Sequence, residues 1–479
     1  MNPGCYHSGI FPQGRCLTKL ADLPDLSFKI YSKLMNKTGI ILIILIASAL
    51  ILSSDLFFKS SSNKQQLSIV TGSAYPGRIF IYNWDGSNFA RTELDSGYNL
   101  VYTVRIGDIF NNGESEIVAG VGNSFFAEPH GCKVIYFIHQ NGKWEQKLLD
   151  DVGDLRCKDL AIGDADNDGK NEVVLGTHGQ GLIRVYKWDG NKWDSQTIED
   201  NLIGKVDSML GMNHKVPTEN LTYDTTVQSA VHIVRIGDAD NDGKNEIIAT
   251  ISSPLEYKGM YPEFAFVRMY KWVKDKNQWI GSDIDKITGI KFRASVEIGD
   301  VQRTGKNQLF ITSAPHLLFL YSQKDGNWTR TVIENQTISG EVNMKAMSIG
   351  KFENKNNLFI STGISNAVVY SYEWNGKEFL KSLIGNISVL IKPNNYFGLG
   401  DNSLEVKAAD LDKDGKNEVI AAGESDTSWS NPNSKSAIQF GWEVTPYGFL
   451  VVYKWDGNKW HGKIIDTYSV LGMDVGLFS

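Results

Sequence analysis

Proline is scarce in this chain, with 12 residues in 479 against 46 glycines. That balance suits strands separated by tight turns. A basic stripe is missing too: 48 Lys and Arg stand against 55 Asp and Glu, for a formal charge of −7. A nucleic-acid partner is therefore not expected. No nucleophile elbow, zinc motif or phosphate loop occurs. The eight histidines are scattered, and His178, His232 and His316 stand singly in different repeats. Cysteine occurs only four times.

The apolar content of 42% is enough for a sizeable core. Residues 38–54, TGIILIILIASALILSS, form a run without any charge. Before it stand Arg15, Lys19, Lys29, Lys33 and Lys37 against Asp22 and Asp25. The run predicts a signal-anchor helix that leaves residues 1–37 in the cytoplasm and the rest outside. A cleaved signal peptide is the alternative, since Ala47-Ser48-Ala49 fits a small-residue cleavage site. Met35-Asn36-Lys37 would also start a normal signal, which would make residues 1–34 an over-long reading of the gene. Residues 55–66 read as a linker, and 67–479 as one repeating domain.

Two motifs recur through that domain. The first is an aromatic hairpin: YNWDGSNF (82–89), FIHQNGKW (137–144), YKWDGNKW (186–193), YKWVKDKNQW (270–279), YSQKDGNW (321–328), YEWNGKEF (372–379) and YKWDGNKW (453–460). All but the 270–279 copy carry Asp-Gly or Asn-Gly at the turn, where a positive φ matches the strand twist. The second is a strand–loop–strand unit, clearest in LAIGDADNDGKNEVVLGT (160–177), IVRIGDADNDGKNEIIAT (233–250) and VKAADLDKDGKNEVIAAG (406–423). Weaker copies begin at 104, 296 and 347. A seventh is split between GMDVGLF (472–478) and LSIVTGS (67–73). Four strands per unit, with the last unit shared by both ends of the domain, predict an all-β, seven-bladed β-propeller.

Three loops place carboxylates at positions 1, 3, 5 and 9. They are Asp164, Asp166, Asp168 and Glu172; Asp238, Asp240, Asp242 and Glu246; Asp410, Asp412, Asp414 and Glu418. Four like charges in nine residues repel unless a cation fills the centre, and Ca²⁺ suits six to eight hard oxygens. The backbone carbonyls of Lys170, Lys244 and Lys416 at position 7 are further candidate ligands. An EF-hand is excluded, because position 12 is Leu175, Ala249 and Ala421 rather than Glu. The loop with Asp108, Asn112 and Glu116 is a weak site, with Phe110 at position 3. The loops at 300–308 and 351–357 have lost the ligands. Removing the twelve loop carboxylates from 55 leaves 43 acids against 48 bases, so the rest of the chain is mildly basic.

The DxDxDG loops and their following Glu resemble the FG-GAP (VCBS-type) repeat family, which includes the integrin α-chain head. The resemblance covers about residues 67–479 and implies structural Ca²⁺ on the face opposite the ligand-binding one. No inserted domain and no C-terminal span accompany it, so integrin-like signalling is not implied.

The metal loops are 1–2 turns, so the long 2–3 and 4–1 connections collect on the opposite rim. His130, Tyr257, Tyr261, Trp429 and Trp442 lie in them and suit a glycan or protein ligand. Three residues before each loop stand Arg105, Ala161, Arg235, Glu297, Ser348, Lys407 and Asp474, a mixed lining for a central channel. Cys5 and Cys16 precede the apolar run and are expected to stay reduced. Cys132 and Cys157 lie near one rim, where a disulfide fits an oxidising compartment. Sequons stand at Asn220, Asn327, Asn335 and Asn386. With no catalytic motif visible, the expected role is an exported, Ca²⁺-binding recognition or adhesion module without enzymatic activity. The alternatives are a carbohydrate-active propeller enzyme, lyase-like in kind, and an envelope scaffold.

Overall fold

Short β-rich runs punctuated by turns set the architecture of the computed structural model. It describes residues 66–478 apart from 123–130, 155, 180, 201–228, 253–263, 289–294, 314–315, 336–341, 365–366, 392–400 and 426–446. The helix expected over 38–54, with residues 1–37 and nearly all of the linker, falls outside the described residues. Among those described, no helix is long and apolar enough to cross a membrane.

The strands are β1 (Gln66–Gly72), β2 (Ala74–Trp84) and the 19-residue β3 (Phe89–Gly107). β4 (Glu116–Gly122), β5 (Lys133–Gln140) and β6 (Lys143–Asp151) complete a meander with the second half of β3. The same meander recurs as β7 (Arg156–Gly163), β8 (Glu172–Gly179), β9 (Ile183–Trp188) and β10 (Trp193–Glu199). It recurs again as β11 (Ser229–Gly237), β12 (Glu246–Ser252), β13 (Phe264–Val273) and β14 (Gln278–Thr288). β15 (Val296–Gly299), β16 (Gln308–Ser313), β17 (Leu317–Lys324) and β18 (Asn327–Asn335) follow. Then come β19 (Val342–Phe352), β20 (Lys355–Ile364), β21 (Val368–Trp374) and β22 (Phe379–Asn386). Last are β23 (Asp401–Ala409), β24 (Glu418–Ser425), β25 (Tyr447–Trp455), β26 (Trp460–Tyr468) and β27 (Gly472–Phe478).

This is an all-β propeller built from four-stranded antiparallel blades. β27 pairs with β1 from Gln66↔Phe478 to Gly72↔Gly472, so the two ends of the domain share one blade. The first strands of successive blades pack on one another in the order β3, β7, β11, β15, β19, β23, β27 and back to β3. The expectation of seven blades is not matched by the hydrogen-bonded sheets. Hydrogen bonding joins the meanders into four continuous sheets of seven, eight, four and eight strands. The cause is local: β3 runs unbroken through two meanders, β11 borrows two pairs from β8, and β23 borrows one from β20.

Burial explains the sequence pattern. β4 is buried at every position, while β6 is mostly exposed. A second strand faces a neighbouring sheet on each side and so reads as a continuous apolar run. A fourth strand is the outer edge, and its charges guard against pairing with other chains. One core cluster joins Val118 and Val134 to Leu160, Val173 and Tyr186 across adjacent meanders. In the hairpins, Gly457 takes φ 103, and Asn277 at φ 50 supplies the left-handed residue in the copy without glycine.

A polar tie between blades repeats around the ring. Tyr82 donates to Asp466 at 2.8 Å, Tyr186 to Asp150 at 2.8 Å, Tyr270 to Glu199 at 3.2 Å and Tyr321 to Asp285 at 3.0 Å. Tyr372 donates to Glu334 in the same way. Arg91, Arg184, Arg330 and Lys381 pair with four of these carboxylates at 2.6–2.8 Å. The tie fails where Gly385 occupies the carboxylate position. A Cβ there would lie 2.2 Å from the Tyr453 ring, and the Tyr453 hydroxyl is buried without a hydrogen-bond partner.

Tyr82→Phe should therefore lower stability by about 1 kcal/mol. Asp466→Ala, which also strands Arg91, should cost about 2–3 kcal/mol in chemical denaturation; equal midpoints for all three proteins would contradict the tie. Burial opposes the charge on Glu334, but hydrogen bonds from His316, Lys381 and Tyr372 more than offset it and hold the carboxyl at about 2. Its contribution is complete above the usual value of 4.5 and is lost as pH falls through about 2. Glu334→Gln should flatten the melting temperature over that acid window.

Candidate metal centres and the charged inner ring

Each acidic loop shapes itself before any ion arrives. Asp164 at position 1 accepts the amides of Asp168 and Gly169, both at 3.0 Å. Glu172 at position 9 accepts Ala165 N–H at 2.9 Å, as Glu246 accepts Ala239 and Glu418 accepts Leu411. Asn167, Asn241 and Lys413 at position 4 lie at φ 60–66, which folds the loop back on itself.

Adjacent loops are also clasped. Asn171 donates to the Asp108 carbonyl at 2.9 Å, Asn245 to Asp164 at 2.8 Å and Asn307 to Asp238 at 2.8 Å. In return Asn111, Asn167 and Asn241 accept the backbone amides of these asparagines at 2.6–2.7 Å. Position 8 of one loop thus fixes positions 1 and 4 of the loop before it.

Ligand oxygens of Asp164, Asp166 and Glu172 lie within 4.8 Å of one another, as do those of Asp238, Asp240 and Glu246 and of Asp410, Asp412 and Glu418. Among the described residues these are the three clusters of this kind. The oxygens Glu172 Oε1, Asp238 Oδ1, Asp240 Oδ1, Glu246 Oε1, Asp410 Oδ1 and Asp412 Oδ1 are buried without a hydrogen-bond partner. Burial and neighbouring aspartates push Glu172, Glu246 and Glu418 up to about 7. Buried, orphaned, all-oxygen donors fit a hard divalent cation, which would relieve both the desolvation and the repulsion.

The structure refines the ligand set. Asp168, Asp242 and Asp414 at position 5 lie outside the converging triads; one oxygen of each accepts the amide of Lys170, Lys244 or Lys416 at 2.9–3.0 Å. The other contacts a lysine Nζ from the third strand, Lys187, Lys271 or Lys454, at 2.7–2.9 Å. The 300–308 loop, which lacks the acidic set, is held from within. Gln308 Nε2 at position 9 donates to Thr304 Oγ1 at 3.1 Å and to the Lys306 carbonyl at position 7. In the weak loop, Asp108 accepts the amides of Asn112 and Gly113, and Glu116 accepts Ile109. Phe110 turns away into an aromatic cluster with Tyr136, Trp188 and Trp193.

A second cluster sits on the first strands. Arg105 pairs with Asp159, Arg235 reaches Asp159 at 2.9 Å and Glu297 at 3.4 Å, and Lys407 reaches Asp474 at 3.2 Å. Asp159 thus bridges two guanidiniums and also accepts Val234 N–H at 3.0 Å. Burial pushes the Glu405 carboxyl up, an effect that Asp159 increases and Arg105, Lys407 and Arg235 oppose. Asp474 is held below the usual carboxylate range: burial opposes this, and Lys407 and Arg105 outweigh it. Asp159 and Glu405 were not among the expected lining residues. They stand two positions before Ala161 and Lys407 on the same strands, so period-2 alternation was the signal that could have found them.

Cys132 and Cys157 form a disulfide that links β5 to the start of β7. The expected rim residues His130, Tyr257, Tyr261, Trp429 and Trp442 lie outside the described residues.

No protein-family model matches the sequence, and no curated protein matches it. Solved structures do match. A Lactobacillus plantarum protein shares 10% identity at a TM-score of 0.50, over 86% of this chain and 99% of that one. A candidate 6-phosphogluconolactonase from Bacteroides fragilis shares 11% identity at a TM-score of 0.50, over 87% and 99%. The periplasmic gluconolactonase of Pseudomonas aeruginosa shares 11% identity at a TM-score of 0.47, over 86% and 99%. At these identities the likeness shows the propeller fold alone. The expectations of a recognition or adhesion module and of no enzymatic activity are corrected to this extent: a neighbour matched over 99% of its own length is a candidate 6-phosphogluconolactonase, so neither is carried forward.

A divalent cation should raise the melting temperature and chelation should lower it. At a roughly hundredfold excess over Kd, each filled site adds about 3 kcal/mol. The triple variant Asp166→Ala, Asp240→Ala, Asp412→Ala should melt alike with and without the ion; a retained response would contradict the assignment of these loops.

Proposed function

We propose that this chain is an exported, seven-bladed, Ca²⁺-braced propeller enzyme that hydrolyses a sugar-derived lactone at its charged inner ring. The seven-blade count is supported by the unbroken succession of first strands and by the antiparallel meanders. Ca²⁺ as the ion is supported by the all-oxygen donor set, and by the resemblance of these loops to FG-GAP (VCBS-type) repeats. Export fits the 38–54 segment, as an anchor or as a cleaved signal, and the Cys132–Cys157 disulfide.

The observation that carries the reading is the grouping of Arg105, Arg235 and Lys407 around Asp159, Glu297, Glu405 and Asp474 on strands that encircle one axis. Hydrolysis of a lactone needs a base to take a proton from water and a cation to hold the oxyanion formed on the carbonyl. Glu405 suits the first role, since a carboxylate made more basic by burial is a better proton acceptor. Arg235 and Lys407 suit the second and would also hold the carboxylate of the opened acid. The ring C–O bond then breaks, and the proton passes to the departing alkoxide. The names of the structural neighbours supply the substrate class.

The full-length protein should open δ-gluconolactone or its 6-phosphate faster than the blank, followed by acid release in a pH-stat. Glu405→Gln should lower kcat by about 10²–10⁴-fold. Activity should fall as pH drops through the raised value of Glu405, because only the ionised form accepts a proton. Turnover equal to the blank on both lactones, or an undiminished Glu405→Gln variant, would sink the reading.

A further inference from the structure

The internal repeats act as an alignment of the chain with itself, and one position in them follows the acidic loops. Between the two aromatic positions of each hairpin stand Asn83, Ile138, Lys187, Lys271, Ser322, Glu373 and Lys454. Lysine occurs in the three blades with complete carboxylate sets and in none of the other four. In one of the two blades whose loops have lost the ligands, that with loop 351–357, the charges are reversed: Glu373 holds that position and pairs with Lys355 at 2.5 Å.

The geometry gives the correlation a cause. Lys187 lies directly across the strand pair from Glu172. Its Nζ contacts Asp166, lies 2.7 Å from Asp168 and 3.4 Å from Glu172. Lys271 lies 2.5 Å from Asp240, 2.7 Å from Asp242 and 3.4 Å from Glu246. Lys454 repeats this on Asp412, Asp414 and Glu418. The two oxygens of the position-3 aspartates Asp240 and Asp412 are divided, whereas Asp166 Oδ1 accepts the amide of Asp168 at 3.2 Å. Asp240 Oδ2 takes the ammonium, while Asp240 Oδ1 and Asp238 Oδ1 stay buried without a hydrogen-bond partner. Asp412 is divided in the same way. One side of the carboxylate is thus committed to lysine, and the other is left to converge.

We infer that Lys187, Lys271 and Lys454 are resident counter-ions of the three metal sites: each holds its loop together without a divalent ion and, by repelling that ion, keeps affinity low. The inference rests on the proposal that these loops take Ca²⁺. A single ammonium against four carboxylates leaves the loop strongly negative, so the cation is still attracted, but less than it would be without the lysine. Two positive charges drawn to the same carboxylates from opposite sides repel across a partly buried gap, where screening is weak. The lysines are positioning residues, since none needs to touch the ion. The consequence is a protein whose sites fill only where Ca²⁺ is abundant, as outside a cell, and whose loops survive in its absence.

The test is calorimetric titration of the full chain with Ca²⁺ alone, comparing wild type with Lys187→Gln, Lys271→Gln, Lys454→Gln combined and with Lys454→Gln singly. Tighter binding by about tenfold or more at each altered site is expected, together with a lower melting temperature in chelator and no such loss at saturating Ca²⁺. A surface ion pair of no consequence for the metal would leave affinity unchanged, and a lysine needed to shape the ligands would weaken it; either result overturns the inference while leaving Ca²⁺ binding intact. Binding by neither wild type nor variants would overturn both the inference and the calcium reading. If the triple variant folds only with the ion, it is prepared in millimolar Ca²⁺ and back-titrated with chelator, and Lys454→Gln alone carries the comparison.

Discussion

Everything in this molecule depends on the pairing of β1 with β27. Seven consecutive residue pairs, Gln66↔Phe478 to Gly72↔Gly472, bring together segments about 400 residues apart and turn a row of meanders into a closed ring. Without that pairing the first strands would have no common axis. Arg105 on β3 and Asp474 on β27 would then belong to opposite ends of an open stack. Ile106 N–H, which donates to Asp474 at 2.9 Å across the closure, records the dependence directly. So does the Tyr82–Asp466 tie, which joins the two sides of the same seam.

Two further devices keep the closed ring rigid, one through its body and one on the loop face. Tyrosine–carboxylate–cation ties lock the outer parts of neighbouring blades. Asparagine clasps lock the acidic loops in sequence, each loop to the one before it. Both cost little chain, because each uses one or two side chains per repeat. Both also tolerate omission: the blade with Gly385 replaces its tie by close packing of the Tyr453 ring, and the 300–308 loop is held from within by the Gln308 amide.

Much of this was legible in the sequence, and the boundary of legibility has a physical cause. The four-strand repeat and the acidic loops could be read because both are local patterns, fixed by turns of a few residues. Positive φ at Gly457 and at the loop asparagines follows from Asp-Gly and from the DxDxDG spacing. The ties were not legible, since Asp466 meets Tyr82 only after closure. Asp159 and Glu405 were missed for a related reason: the reading took one residue per inner strand, although period 2 puts the residue two places earlier on the same face. The lysines opposite the loops were visible as letters but had no meaning until the hairpin strand was placed beside the loop. Function was misjudged because the loop motif invited an analogy with adhesion proteins, while a fold of this kind hosts unrelated activities. The rim residues expected to bind a ligand lie outside the described residues.

Amide hydrogen exchange in the native state tests ring closure most directly. If the seam holds the molecule together, the amides of residues 67–71 and 473–477 exchange only through global unfolding, with the same free energy as the buried strand β4. Exchange of those terminal amides at a markedly lower free energy, with β4 still protected, would mean that the seam opens on its own and that the inner ring does not require it.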